Sequence, residues 1–352
     1  MKLSQYTLDL LNDIENRIIP SVEDDFINQW QNFWDGKTND IIFRPVRKIV
    51  SEPSIEIKNI NINDAIQDYE LMLDMQLADV SKALSNTDKA LCMRANYGTG
   101  ILSSLLGAEL FEMPRSQNTL PTTKAFNDTD AIREIVEKGM PDINTALGAK
   151  VFAFGEMCLE IFRNYPKITK YVFMCHPDTQ GPLDIAELLW GGEMFYEMYD
   201  NPDIVHALMQ LITNTYIAVL DRWFEMYPNK EDLNVHWGWF IRGGICLRND
   251  SAVNLAPEQY SEFALEYDQH LFNYYKGGLM HYCGKGDHFA GVAAANTNAT
   301  AINLSEPHRN DMNKIFEGVL PTGKKLLGIT KHGCQKAEEA NVVGGMIHGL
   351  LI

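Results

Sequence analysis

From Lys89 onward, short apolar runs alternate with amphipathic helical stretches, and this alternation restricts the fold more than any single motif. "KALCMRANYG" reads as a strand entering a glycine-containing loop. "TDAIREIVEKG" reads as a helix ended by Gly139, and "GAKVFAFGEMCLEIFRNYP" as a longer helix stopped by Pro166. "KYVFMCHPDTQGPLD" is a strand that breaks into a polar loop. The stretch 202–228 predicts a helix of about six or seven turns. Pro202 suits its first turn, and Val205, Met209, Ile212, Tyr216, Leu220 and Trp223 repeat at helical spacing as one buried stripe. Next come the helix "PEQYSEFALEYDQHLFNYYKGG", the strands "LMHYC" and "TAINL", the helix "RNDMNKIFEGVLPTG", the strand "KKLLGIT" and a closing helix over 336–350. Units of this kind imply a parallel sheet. With many of them and no early Gly-x-Gly-x-x-Gly, the expected fold is α/β, a closed (β/α)8 TIM barrel with an N-terminal helical extension. A doubly wound open sheet is the alternative.

The extension is read from residues 1–35, where Leu10, Leu11, Ile14, Ile18 and Ile19 keep helical spacing, followed by a Pro-punctuated extended lead-in over 39–63. The division is therefore a helical and extended cap, 1–65, and a barrel, 66–352. A 45% apolar share supports a large core. The net charge of −17 argues against a sequence-independent nucleic-acid binder, which depends on Lys and Arg at phosphates. "MKLSQYTLDLLNDIENRII" lacks the basic start and apolar centre of a signal peptide. No unbroken apolar run of about 18 residues suggests a membrane span. Six cysteines are too sparse for a disulfide scaffold. The expectation is a cytoplasmic protein acting on a small molecule, with aromatics in 190–226 leaving room for a homodimer face.

The chemistry collects at three consecutive strand ends. Side chains two apart on a strand point the same way, so His281 and Cys283 face one direction at the end of "LMHYC". "TAINL" ends at Ser305-Glu306, and "KLLGIT" runs into a loop with His332 and Cys334. Neighbouring strands lie about 5 Å apart. His281, Cys283, Glu306 and Cys334 could thus supply one imidazole, two thiolates and a carboxylate to a tetrahedral zinc site, one ion per chain, with Asp287 and His332 as substitutes for Glu306. The plainer reading is that free cysteines are small buried apolar residues, as Cys92, Cys158 and Cys246 are taken to be. Asp178, Gln180 and Asp184 line a pocket, or Asp184 caps the next helix. Asp250 orients substrate or His281, or pairs with Arg248 or Arg242. "NYGTG", with Tyr97, offers backbone N–H groups to an anion or makes a turn. His236 with Trp237 and Trp239 reads as core packing.

"GGICLRNDSAVNLAPEQYSEFALEYDQHLFNYYKGGLMHYCG" resembles the uroporphyrinogen decarboxylase superfamily, in which a strand ending near an Asp is followed by a Pro-Glu-x-Tyr helix and a His-x-Cys-Gly strand end. "PLDIAELLWGGEMFYEMYDNPDIVHALMQLIT" is similar to its middle segment. The resemblance covers roughly 90–330 and implies a (β/α)8 barrel. Its decarboxylases grip substrate carboxylates with an early Arg-rich signature that this chain lacks, although Arg44, Arg47 and Arg94 stand in the nearest stretches. Its corrinoid-linked methyltransferases bind zinc through His-x-Cys…Cys, which maps onto His281, Cys283 and Cys334. Cobalamin-independent methionine synthase uses a similar set whose Glu follows the His-x-Cys much as Glu306 does here. The resemblance therefore implies methyl transfer to a zinc-activated thiol, with a methylated corrinoid on a partner protein as donor. The catalytic set is Asp250, Glu306 and Asp178, and the substrate-binding set is Arg94, Tyr97, Gln180, Arg242 and Arg248. The alternatives are metal-free decarboxylation of uroporphyrinogen or a related polycarboxylate, with Arg94, Arg242 and Arg248 around a deep pocket, and a non-catalytic corrinoid- or tetrapyrrole-binding protein.

Overall fold

The computed structural model describes residues 2–230 and 232–350. Strands that pair in parallel are β1 (Ile42–Phe43), β2 (Cys92–Met93), β3 (Phe173–Met174), β4 (Ile245–Arg248), β5 (Gly278–Tyr282), β6 (Ala301–Leu304), β7 (Lys325–Ile329) and β8 (Ile347–Gly349). They form a six-stranded sheet in the order β1-β8-β7-β6-β5-β4 and a separate pair, β2-β3. The expectation of an α/β fold with parallel pairing and intervening helices is met at that level. No backbone ladder joins the two sheets among the described residues. Side-chain contacts cross between them: the amide of Cys246 in β4 donates to Nε2 of His176 beyond β3 at 2.8 Å, and Arg248 in β4 pairs with Asp178 at 2.8 Å.

Each face of the six-stranded sheet has its own core. Leu247, Met280, Tyr282, Ile302, Leu304 and Leu326 join the large cluster formed with the helices. On the other face Phe43, Cys246, Leu279, Ala301 and Leu327 meet Phe26, Trp30, Phe33 and Trp34 from the helix Pro20–Trp34. Both faces are covered, which explains why these strands read as continuous apolar runs. Burying each of the large rings contributes roughly 1.5–3 kcal/mol.

The segment 1–65 is not only a cap. Its helices Gln5–Arg17 and Pro20–Trp34 form as expected, but Ile42–Phe43 enters the sheet beside Ile347–His348. The closing helix expected over 336–350 is also shorter. It spans Lys331–Glu339, and the chain then turns at Gly345, where φ is +77°, into β8. Adjacent glycines at 344–345 break the helical period, and β8 is buried throughout, so it carries no alternation to betray a strand. The helix Pro202–Met226 is long and apolar enough to cross a membrane by length and composition, yet 61% of its apolar window is buried inside the protein. Here the stripe read from the sequence packs as core.

"LNVHWGWFIRGG" folds as an antiparallel hairpin, Asn234–His236 against Trp239–Ile241. Trp237 and Gly238 turn it, both at positive φ (52° and 81°). Of the residues read as core packing, His236 is buried, while Trp239 is only half-buried against the same core. Trp237 is half-buried and carries its ring to the carboxyl ends of β4 and β5.

Candidate metal centre

Register brings three polar side chains into one row. Arg248 in β4 pairs with His281 in β5, and His281 pairs with Asn303 in β6. All three lie near the carboxyl ends of their strands. Asn303 Nδ2 donates to the carbonyl of Leu327 in β7 at 2.6 Å, which turns its Oδ1 toward His281 Nδ1, 2.5 Å away. His281 must therefore donate from Nδ1, leaving Nε2 with a free lone pair aimed away from the sheet. Burial holds the imidazole below its ordinary pKa, with Asp250 and Asn303 opposing the shift, so the ring stays neutral at pH 7.

Cys283 follows two residues on, past the end of β5. Its Sγ lies 3.4 Å from His281 Nε2. Asp250, which opens the short turn Asp250–Asn254 after β4, has Oδ1 at 3.7 Å from the same nitrogen and accepts the Cys283 amide at 2.6 Å. One ligand atom from each of Asp250, His281 and Cys283 thus lies within 4.8 Å of the others. Bond lengths of about 2.0–2.3 Å place tetrahedral zinc ligands about 3.3–3.8 Å apart, so the separations at Nε2 suit a shared cation. Desolvation pushes the Cys283 thiol above its ordinary pKa, an effect that a bound cation would reverse. The three residues together could hold a metal ion such as zinc.

Buried carboxylates pin Asp250 from below. Asp184 accepts the amides of Asp250 and Ser251 at 3.1 and 2.8 Å, and burial with Asp250 nearby pushes its pKa up to about 7. Asp184 lies in the first turn of the helix Pro182–Trp190, yet its acceptor capacity is spent on the 250–251 loop. Asp268 accepts from Asn249 at 2.6 Å and from the Tyr260 hydroxyl at 2.8 Å, and burial raises it to about 8.

The other expected site residues fall into two groups. Glu306 stands close by, half-buried, and accepts the Gly284 amide at 2.8 Å with Arg309 at 3.4 Å, but it is outside the three-residue group. Cys334 is buried, donates to the carbonyl of Ile329 at 3.4 Å, and is not brought into the group either. Of the substitutes, Asp287 accepts the amide of Asp311 at 3.3 Å and His332 is exposed. Asp178, Gln180, Arg94 and Arg248 form one network. Asp178 is buried, 2.8 Å from Arg248 and 3.5 Å from Arg94, and takes a 2.7 Å bond from Gln180. Arg248 lies over the Trp237 ring at 4.7 Å, and that ring meets His281 edge-on at 4.8 Å.

Arg242 and Tyr97 are elsewhere. Arg242 precedes β4, at the amino end of the strands, where it pairs with Asp35 at 2.8 Å. The Arg94, Arg242 and Arg248 cluster expected for a polycarboxylate pocket therefore does not assemble, because Arg242 is separated from the other two by the length of β4. Tyr97 is fully buried against Phe154. Sequence reasoning missed Asn303, Asp184 as an anchor and Trp237 as a wall. The one legible signal was an Asn inside the apolar run "AINL".

Fold and cluster define an α/β protein with a candidate metal centre at the carboxyl ends of a parallel sheet. Among solved structures it is similar to a methyltransferase from Methanosarcina mazei, with a TM-score of 0.56 and 14% identity over 91% of each chain. At that identity the likeness is one of fold. No family model matches the chain, and no curated protein matches it.

Proposed function

We propose that this chain is a zinc-dependent methyltransferase of the uroporphyrinogen decarboxylase superfamily, in which both parallel sheets belong to one (β/α)8 barrel. It would move a methyl group from a methylated corrinoid on a partner protein to a small-molecule thiol. The convergence of His281 Nε2, Cys283 Sγ and the Asp250 carboxylate carries the reading. The barrel is supported by the all-parallel pairing, the helices between strands and the His176 bridge between the two sheets. Fold likeness to the Methanosarcina mazei methyltransferase adds support.

In this reading His281, Cys283 and Asp250 hold the ion, and Asp250 takes a place expected of Cys334. Glu306, bonded to the amide next to Cys283, is the nearest carboxylate for a displaceable fourth position. Zinc bound there would acidify a coordinated thiol, so that it reacts as a thiolate at neutral pH. The chain's own work is orientation. Asn303 fixes the His281 tautomer, Asp184 fixes the loop carrying Asp250, and Arg248 with Trp237 walls one side of the cluster. A thiolate held there would take the methyl group by forming the S–C bond as the donor's bond to that carbon breaks, with the electron pair leaving on the donor corrinoid.

Elemental analysis of protein purified without chelators should find about one zinc per chain, as a single site requires. Cys283→Ser should lose it. Methyl transfer from methylcobalamin to 2-mercaptoethanol should follow the metal content. Turnover by metal-stripped protein would reject the mechanism, and tight corrinoid binding without turnover would favour a binding protein.

A further inference from the structure

Above the carboxyl ends of β2, β3 and β4 opens a cavity of about 400 Å³, within the range for small-molecule sites. Thr99, Thr123 of a short strand, Gln180, the helix Pro182–Trp190 and the turn at Asp250 and Ser251 line it. Three carboxyl groups reach its wall, from Asp184, Glu187 and Asp250, and the lining includes no Lys, Arg or His. Gln180 supplies the observation that points to a ligand. It is 5% exposed, and its Nε2 donates at 2.7 Å to Asp178, which is paired with Arg248. A carboxylate beside a guanidinium only accepts, so the amide cannot be turned round. Oε1 of Gln180 is thus committed to the cavity side, where it has no partner among the described residues. Buried polar groups are nearly always satisfied, so this oxygen marks the place of a ligand's donor. Glu187, half-buried, takes the Ser251 hydroxyl on one oxygen and leaves the other unbonded among the described residues.

We propose that this cavity seats a primary ammonium group, so that the methyl acceptor is a short aminothiol with its nitrogen among Gln180 Oε1, Glu187 and Asp184. An ammonium carries three donors and a positive charge, which answer a wall built of acceptors and carboxyl groups. A sulfonate or carboxylate in the same place would face Glu187 with no cation in the lining to offset it, and would be rejected. Asp250 borders both this cavity and the metal candidate, so sulfur at the ion and nitrogen at Glu187 are the two ends of one molecule. The thiol half of the inference rests on the methyl-transfer reading, and the ammonium half rests on the cavity alone.

Calorimetric titration of the full chain with butylamine, beside butyrate and 1-butanol, tests the seat without requiring turnover. Butylamine should bind saturably with a Kd below about 10 mM, at least about tenfold tighter than the other two. That binding should survive removal of metal, since the charge and not a nitrogen–metal bond is recognised. Glu187→Gln, which keeps an oxygen for Ser251, should weaken it about fivefold or more with zinc content unchanged. No saturation, equal affinity for butyrate, or loss of binding with the metal would each overturn the inference in the parent protein, whether or not the variant folds. Unchanged affinity in a folded Glu187→Gln would do the same. In methyl transfer, cysteamine should surpass 2-mercaptoethanol about tenfold in kcat/KM. Parity would sink the aminothiol and leave the methyltransferase standing. Amine binding with no transfer to any thiol would reject the methyltransferase reading and leave the ammonium seat standing.

Discussion

Asn303 decides which nitrogen His281 presents. An imidazole alone can expose either nitrogen, and here the amide takes one through a 2.5 Å bond while its own NH2 is tied to Leu327. Such partners of a metal-binding histidine typically change affinity by about 10–100-fold when removed. Asn303→Ala is therefore expected to weaken zinc binding by about that factor, with near-normal folding, as measured by competition against a chromophoric chelator. An unchanged affinity would mean His281 is not a ligand through Nε2. Zinc binding should also strengthen as pH rises through neutrality, because the Cys283 thiol, raised by desolvation, must lose its proton to bind. At this scale the sequence was partly readable. Strand alternation aimed His281 and Cys283 together, and Asp250 was recognised as a neighbour. Asn303 was hidden because its role depends on cross-strand register, and Cys334 was misplaced because a helix start, not a loop, carries it away from the cluster.

The strands that carry the cluster owe their spacing to glycines at their amino ends. Gly278 begins β5 at φ +150°, and a Cβ added there would collide with the carbonyl oxygen of Ile245 in β4. Gly278→Ala should therefore cost about 2–4 kcal/mol in denaturant unfolding, within the range for backbone strain plus a core clash. It should also disturb the β4–β5 pairing that sets Arg248 opposite His281. A stability within about 0.5 kcal/mol of the parent protein would show that the strands can part without penalty. Most elements were legible from periodicity, including the long helix 202–226 and the strands around 281 and 303. The hairpin at 234–241 was read only as packed core, since nothing in "HWGW" reveals that a tryptophan adopts the left-handed conformation there. β8 escaped for the opposite reason, being a wholly buried run with no polar face.

Across the molecule, buried ionisable groups set opposing responses to pH. Burial pushes His176 down to about 4 and His348 to about 3, and holds His236 and His281 below their ordinary values. Stability linked to these rings is present above the unfolded value, about 6.5, and is lost as pH falls through the folded ones. Asp184 and Asp268, raised to about 7 and about 8 chiefly by burial, act the other way. Their contribution is complete in acid and disappears as pH rises through those values. Metal-free protein should thus be most resistant to urea near about pH 6.5 and weaken on both sides. A steady rise from about pH 5 to 9 would contradict the assignment. The parallel α/β plan was legible because each strand–helix unit declares itself locally, whereas pairing between distant strands leaves no local trace. Ile42–Phe43, for instance, is zipped to Ile347–His348. During synthesis this earlier-made segment must therefore wait, with the tryptophan-rich helix before it lacking its full cover, until Ile347 and His348 have left the ribosome. The nascent protein thus cannot mature from its beginning toward its end, and its long unsheltered interval is the moment at which a chaperone would matter most.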